Sequence, residues 1–304
     1  MHEPVDLQGR LAERLVARHL KREDQHDAAP PSRIGPYSIE RPVARAPYGR
    51  VYLAFDEEEE RPVLVRVLAR GRVRFTETLV EHVNALGAFE HPGFVRLLGG
   101  GVADSGEPFL VMEAADAPAL ADCALTLRER IDVVIEAARA LNAAHERGIV
   151  HGDLNPTNIH VGERVRIRDL GVAALVVDES VRVYLGQLDY LAPEQLSGGE
   201  VGPWTDVHAL GAIVYTLLAG RPPFEGGGVR SIVDRIRHAE VDPPSDFVSS
   251  VPPELERATL RALAKDPRAR HPSALDLARE LSRWRARQEI GRLGGYAAKR
   301  PTIG

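Results

Sequence analysis

Residues 151–158 read HGDLNPTN, and DLG follows at 169–171. The first stretch carries Asp153 and, five residues later, Asn158; a second carboxylate, Asp169, stands sixteen residues after the first. An acid beside a reacting hydroxyl, with an amide and a further carboxylate at this spacing, can orient a nucleophile and hold a hard cation through oxygen ligands. Each fragment alone is weak evidence, so the rest of the chain must decide the fold.

Composition excludes several classes of protein. The chain has 304 residues, 44% of them hydrophobic, which is enough to bury a core. Its formal charge of -5 removes the positive field of a dedicated nucleic-acid binder. The one cysteine, Cys123, rules out an intrachain disulfide framework. No lysine lies between Lys21 and Lys265, so any mechanism that needs a central lysine is excluded.

The order of predicted elements divides the chain into a strand-rich part and a helical part. Strand patterns fill most of 37–113, and helical patterns fill most of the chain after Ala115, an α+β arrangement that favours a cleft between two lobes. Leucines at near-helical spacing predict an amphipathic helix at 6–22, which either packs on its own domain or serves for docking. The predicted units are an N-terminal helix and linker at 1–34, an N-lobe at 35–113, a C-lobe at 114–287 and a basic flexible tail at 288–304.

Neither a membrane span nor a secretory signal is predicted. The longest stretch free of Asp, Glu, Lys and Arg, 207–220, is shorter than the roughly 18 residues that a spanning helix needs. The first residues are charged and contain no apolar region of the kind that signal peptides carry. We therefore expect a cytoplasmic protein.

Three further motifs follow the first two in a fixed order. They are LAPE at 191–194, DVHALG at 206–211 and DPRAR at 266–270. With the motifs at 151–171, this set resembles the eukaryotic-type protein kinase family in its bacterial Ser/Thr branch, over about 36–286. The resemblance implies a bilobal kinase-like fold with a small β-rich N-lobe and a larger helical C-lobe. It also implies ATP and Mg as cofactors and a protein as substrate or partner, with no nucleic acid involved.

The resemblance also assigns roles by position. Asp153 corresponds to the catalytic aspartate, and Asn158 and Asp169 correspond to the magnesium ligands. Glu194 and Arg270 correspond to a structural ion pair, and Asp206 to an anchor of the catalytic-loop backbone. The other positions expected in the site are catalytic Asn155 and Arg66, and the nucleotide contacts Val43, Ala44, Gly49, Val51, Val65, Arg66, Met112, Glu113 and Ala115.

Several positions depart from the family pattern. The glycine-rich loop at 44–51 keeps only its third glycine, Gly49, and Arg66 stands where the family has lysine in V-A-I-K. His82 occupies the position expected for the glutamate partner of that lysine. In the catalytic loop, Gly152 replaces arginine and Asn155 replaces a lysine that contacts the transferring phosphoryl group.

Three functions remain open at this stage. The first is a pseudokinase that binds nucleotide weakly and acts through partners. The second is a slow Ser/Thr kinase in which Arg66 does the work of the lysine and transfers the ATP γ-phosphate to protein hydroxyls. The third is a small-molecule phosphotransferase, which the motifs at 192–194 and 206–211 disfavour because they are typical of protein kinases.

Overall fold

The computed structural model describes residues 30–46, 49–68, 83–114, 117–175 and 188–297. The predicted N-terminal helix lies outside these ranges, as do two positions named above, His82 and Ala115. Strands occupy the first part of the described chain and helices most of the second. The expected bilobal kinase-like fold is confirmed.

Six antiparallel strands form the N-terminal sheet in the order β1-β2-β3-β4-β6-β5. Burial alternates along the second half of β3, whereas β4 is buried at four consecutive positions, 63–66. The strands are β1 Arg33–Ile34, β2 Tyr37–Ala46, β3 Gly49–Asp56, β4 Arg61–Leu68, β5 Leu97–Val102 and β6 Pro108–Glu113.

The pairing register of β4 decides which side chains face the cleft. Arg66 lies opposite Val51 on β3, and Leu64 lies opposite Met112 on β6. Directly opposed residues of antiparallel strands share a face, and successive residues alternate between faces. Val51, Leu64, Arg66 and Met112 therefore lie on one face of the sheet, and Val65 lies on the other.

A four-residue acidic turn at 57–60 joins β3 to β4. The Asp56 carboxylate accepts from the backbone N–H groups of Glu58 and Glu59 at 3.2 and 3.3 Å. Glu60 has a φ of 49°, which completes the reversal. The acidic run is thus an ordinary hairpin connection.

Six α-helices of the C-terminal lobe lie within the described residues. The first begins at a capping box, in which Thr126 and Glu129 satisfy each other's backbone N–H groups. The third is buried along most of its length and packs against the first and the fifth. The helices are α1 Leu127–His145, α2 Pro193–Leu196, α3 Pro203–Ala219, α4 Val229–His238, α5 Pro253–Ala262 and α6 Ala274–Ala297.

A short hairpin lies at the junction of the two lobes, formed by β7 Ile159–Val161 and β8 Val165–Ile167. Ile167 donates its backbone N–H to the Gly93 carbonyl and accepts from the Val95 N–H, both at 2.8 Å. This parallel bridge ties β8 to the segment before β5. The strand that carries the chain toward Asp169 is therefore hydrogen-bonded to the N-lobe.

The last helix, α6, continues to Ala297 and so runs into the range 288–304, for which the sequence predicts a flexible tail. Among the described residues, no helix is long and apolar enough to cross a membrane.

Candidate active site

The candidate site lies where the loop at 151–158, the DLG segment and the cleft face of the sheet meet. The loop connects α1 to β7, and Asp169 lies two residues after the end of β8. Arg66 reaches this point from β4 and contacts Asp169 across 103 positions of sequence. Residues expected to act together are thus brought together by three different elements.

Asp206 of α3 holds the backbone of the loop at 151–158 through hydrogen bonds. One carboxylate oxygen, Oδ2, accepts from the His151 N–H at 2.9 Å and lies 2.7 Å from His145 Nε2, while Oδ1 accepts from the Gly152 N–H at 2.9 Å. Burial acts to raise the pKa of Asp206, but the hydrogen bond and charge of His145, with the charge of His151 and the Gly152 N–H, lower it overall. The predicted role of Asp206 as loop anchor is confirmed.

Asp153 is buried within this anchored loop. Its backbone N–H lies 3.2 Å from His151 Nδ1, and its carbonyl accepts from the side-chain amides of Asn155 and Asn158 at 3.1 and 3.2 Å. Gly152, which precedes it, has a φ of 75°, a conformation that suits glycine. The position of Asp153 is therefore fixed by the loop itself.

Asn155 points into the loop. Its Oδ1 accepts from the backbone N–H of Thr157 at 2.9 Å and from the Thr157 hydroxyl at 2.6 Å, while its Nδ2 donates to the Asp153 carbonyl. The side chain is buried. The residue that replaces the phosphate-contacting lysine is thus a brace for the turn, in the manner of an Asx motif.

Arg66 forms a buried ion pair with Asp169. The Nη2–Oδ2 distance is 2.6 Å, and the two side chains are 2% and 9% exposed. Arg168 adds a second guanidinium, with Nε 3.8 Å from the same oxygen. Burial lowers the pKa of Arg168, and the charge of Asp169 opposes that shift. Two cations therefore stand beside one carboxylate.

The two predicted magnesium ligands do not fit magnesium in this arrangement. Oδ2 of Asp169 is held by Arg66, and Oδ1 of Asn158 accepts from the Asn155 N–H at 2.9 Å. Oδ1 of Asp169 is buried and has no hydrogen-bond partner among the described residues. Magnesium requires several oxygen ligands at about 2.1 Å. A single free carboxylate oxygen next to guanidinium groups does not supply them.

The cleft face of the sheet is closed by its own side chains. Val51, Leu64 and Met112 pack together with Val95 and are all buried. Leu64 stands where the V-A-I-K pattern has its small residue. Val65, expected as a nucleotide contact, lies on the opposite face and packs in the N-lobe core, because side chains alternate along β4. That expectation is corrected: the cleft-facing residue is Leu64.

Gly49 is required by the sheet. It has a φ of 149°, and a Cβ at this position would come within 1.7 Å of the Val67 carbonyl oxygen. The glycine therefore permits close pairing of β3 with β4, which is sufficient reason for its retention. Val43 is exposed on β2, and the side chain of Ala44 lies outside the described residues.

The end of β6 is tied to both lobes through Glu113. Its carboxylate accepts from the Arg96 N–H at 3.3 Å and is paired with the Arg166 guanidinium of β8. Arg166 also donates to the Phe94 carbonyl at 3.3 Å. An adenine is expected beside this segment. The contacts of Glu113 with Arg96 and Arg166 hold the segment in place, and the motifs did not reveal them.

The predicted structural pair of the helical lobe is confirmed. Arg270 donates from both terminal nitrogens to the Glu194 carboxylate, at 2.7 and 2.8 Å, and both side chains are buried. Thr205 donates its hydroxyl to the same carboxylate at 2.9 Å. The pair joins α2 to the segment before α6.

Sequence reasoning missed Leu64, Arg168 and Arg166. Strand alternation, counted from Arg66, could have identified Leu64. The two arginines carry no such signal, because their roles come from the position of β8 against the N-lobe.

A curled antiparallel sheet above a helical lobe, with an anchored HxD loop and a DLG segment between them, defines the protein kinase class. The chain belongs to the protein kinase domain family, whose model matches residues 37–281.

Similar proteins are bacterial Ser/Thr kinases. The chain is 33% identical over 252 residues to serine/threonine-protein kinase PknB of Mycolicibacterium smegmatis, covering 77% of this chain and 40% of that protein. The corresponding protein of Mycobacterium tuberculosis is 32% identical with the same coverage. The chain thus spans less than half the length of these relatives. The Mycobacterium tuberculosis PknI kinase domain superposes with a TM-score of 0.67 at 23% identity, covering 84% of this chain and 99% of that domain, which supports the fold.

Proposed function

We propose that this chain is a pseudokinase module, a kinase fold that acts by binding a protein partner and does not transfer phosphate. The observation that carries the proposal is the position of Asn155, whose amide braces the catalytic loop where the family has a phosphate-contacting lysine. No cation from this position can therefore meet the charge that develops on a transferring phosphoryl group.

The size of the expected defect follows from the loss of that donor. Removing one preorganised donor to a developing anion typically lowers the rate by about 10²- to 10³-fold. Arg66 does not compensate, since its guanidinium is paired with Asp169 at 2.6 Å. In the family, two lysines contact the phosphates. Here Asn155 replaces one of them, and Arg66, which replaces the other, is paired with Asp169.

A slow Ser/Thr kinase is the second candidate, and a specific observation favours it. Asp153 is retained, and its loop is anchored through Asp206 as the family pattern requires. The curated relatives are named serine/threonine-protein kinases. Residual transfer to protein hydroxyls would then depend on Asp153 alone among the usual catalytic groups of the loop.

Weak ATP binding belongs to the same proposal. Val51 and Leu64 are 1% and 5% exposed and pack against Met112, so an adenine ring has to displace side chains to enter. We therefore expect binding only at millimolar ATP. A thermal-shift titration measures it, because a ligand that binds the folded state raises the unfolding midpoint.

A phosphotransfer assay distinguishes the two candidates. The purified chain is incubated with labelled ATP, magnesium or manganese, and a generic protein substrate, beside the Asp153→Asn variant. The pseudokinase proposal predicts equal background label in both. Label above background that disappears in Asp153→Asn contradicts the proposal and supports the slow kinase. The kinase domain of a PknB relative, tested in parallel, shows whether the substrate accepts phosphate.

A further inference from the structure

We infer that Arg66 takes the place of a divalent cation at Asp169, so that guanidinium and metal exclude each other in this chain. The inference rests on the proposed function for the identity of the site, but it concerns metal binding and not phosphate transfer. It begins with the pair itself, in which a guanidinium nitrogen lies 2.6 Å from Oδ2 and both side chains are almost fully buried.

Charge gives the first reason for exclusion. The Asp169 carboxylate already has Arg66 in contact and Arg168 at 3.8 Å. A divalent ion added to this buried group would stand beside two guanidinium charges that already share the Asp169 carboxylate. Such repulsion is strong where water does not screen it.

Geometry gives the second reason. A magnesium ion on Oδ2 would lie about 2.1 Å from an oxygen that already has a guanidinium nitrogen at 2.6 Å. Arg66 has little room to withdraw, because β4 is a central strand and this side chain is 2% exposed. Displacement would leave a buried guanidinium without its carboxylate, which is strongly unfavourable.

The amide that would complete the metal site is engaged as well. Asn158 accepts the Asn155 N–H through Oδ1 and donates to the Asp153 carbonyl through Nδ2. A carbonyl oxygen has two lone pairs, so Oδ1 of Asn158 could still ligate a metal beside this hydrogen bond. Exclusion therefore depends on the guanidinium at Asp169.

The inference predicts a latent metal site that appears when the guanidinium is removed. In Arg66→Met the Asp169 carboxylate keeps its burial but loses its contact cation. Manganese, which accepts the same oxygen ligands as magnesium, would then supply the missing charge. We expect the wild-type chain, in contrast, not to bind manganese.

The test is thermal unfolding in metal-free buffer and in millimolar manganese, without nucleotide. The wild-type midpoint should be the same in both. Arg66→Met should unfold roughly 5 to 10 °C lower without metal and recover several degrees with manganese. Arg66→Met/Asp169→Asn should show no recovery. Arg164→Met, in the exposed β7–β8 turn, is the matched control and should behave as wild type.

Two results would overturn the inference. One is a manganese-dependent rise of the wild-type midpoint, and the other is an Arg66→Met protein that folds but gains nothing from manganese. If Arg66→Met does not fold, a second measurement tests the inference. Manganese is titrated with wild-type protein, and the electron paramagnetic resonance signal of free manganese is followed. Stoichiometric binding below 1 mM contradicts exclusion, and an unchanged signal supports it. Neither measurement depends on phosphate transfer, so the proposed function can fail separately.

Discussion

Neighbouring residues of β4 have opposite surroundings. Leu64 packs with Val51 and Met112 on the cleft face, and Val65 packs in the N-lobe core. A motif aligned by letters treats both as candidate nucleotide contacts, whereas the alternation of side chains admits only one of them. Whether a residue of β4 can contact a nucleotide therefore depends on the face of the strand as much as on its residue type.

Leu64→Ala should open the cleft face. Removal of the branched side chain leaves space beside Val51, so we expect ATP to bind roughly tenfold more tightly, about 1.4 kcal/mol. The fold should lose about 2–3 kcal/mol, because Leu64 is buried. Isothermal titration calorimetry with ATP measures the affinity.

Val65→Ala is the matched control for this change. It removes a buried side chain from the same strand but from the core face, so stability should fall while ATP affinity stays unchanged. Equal ATP affinity in the Leu64→Ala and wild-type proteins, with the variant folded, would contradict the role given to Leu64.

At the scale of elements, the loop and the helices were predictable to different degrees. Helices α1, α3, α4 and α5 fall in the part of the chain after Ala115 where helical patterns were predicted, because their apolar periodicity and flanking turns are local signals. The end of α6 at Ala297 was not predictable, since its last turns carry glycines and arginines that read as a solvated tail. The Arg66–Asp169 pair was also beyond reach, because it joins two elements that the sequence alone does not bring into contact.

The link between α2 and the segment before α6 should be essential for stability. Arg270→Met leaves the buried Glu194 carboxylate without its cation, so we expect the free energy of unfolding to fall by about 3–5 kcal/mol. Urea denaturation measures this loss.

Arg268→Met serves as the control, because that side chain is 91% exposed and its partner Asp266 also lies at the surface. An exposed pair contributes little, so this variant should unfold at the urea concentration of wild type. A similar midpoint for both variants would show that the Arg270 pair is not required.

For the molecule as a whole, acid should be destabilising. His208 is fully buried in α3, and neither ring nitrogen has a hydrogen-bond partner among the described residues. Burial, and then the charges of Arg270 and Lys265, hold the pKa of His208 well below its ordinary value of 6.5. Burial also lowers the pKa of His160 and His271.

The sign of the pH dependence follows from these shifts. Below about pH 6.5 the unfolded chain takes up protons that the folded chain does not, so the free energy of unfolding is largest above that pH and declines as pH falls. His208→Phe should reduce the slope between about pH 5 and 6.5 by up to about 1.4 kcal/mol per pH unit. Urea unfolding at several pH values measures the slope. A slope identical to that of wild type would rule out His208 as a contributor.

The link through Glu113, Arg166 and Phe94, with the bridge at Ile167, joins the lobes by contacts that need no ligand. A protein that touches both lobes at once therefore meets two surfaces whose spacing is already set. If the chain binds a protein partner as proposed, these contacts reduce the freedom between the lobes that is lost on association, so binding costs less entropy.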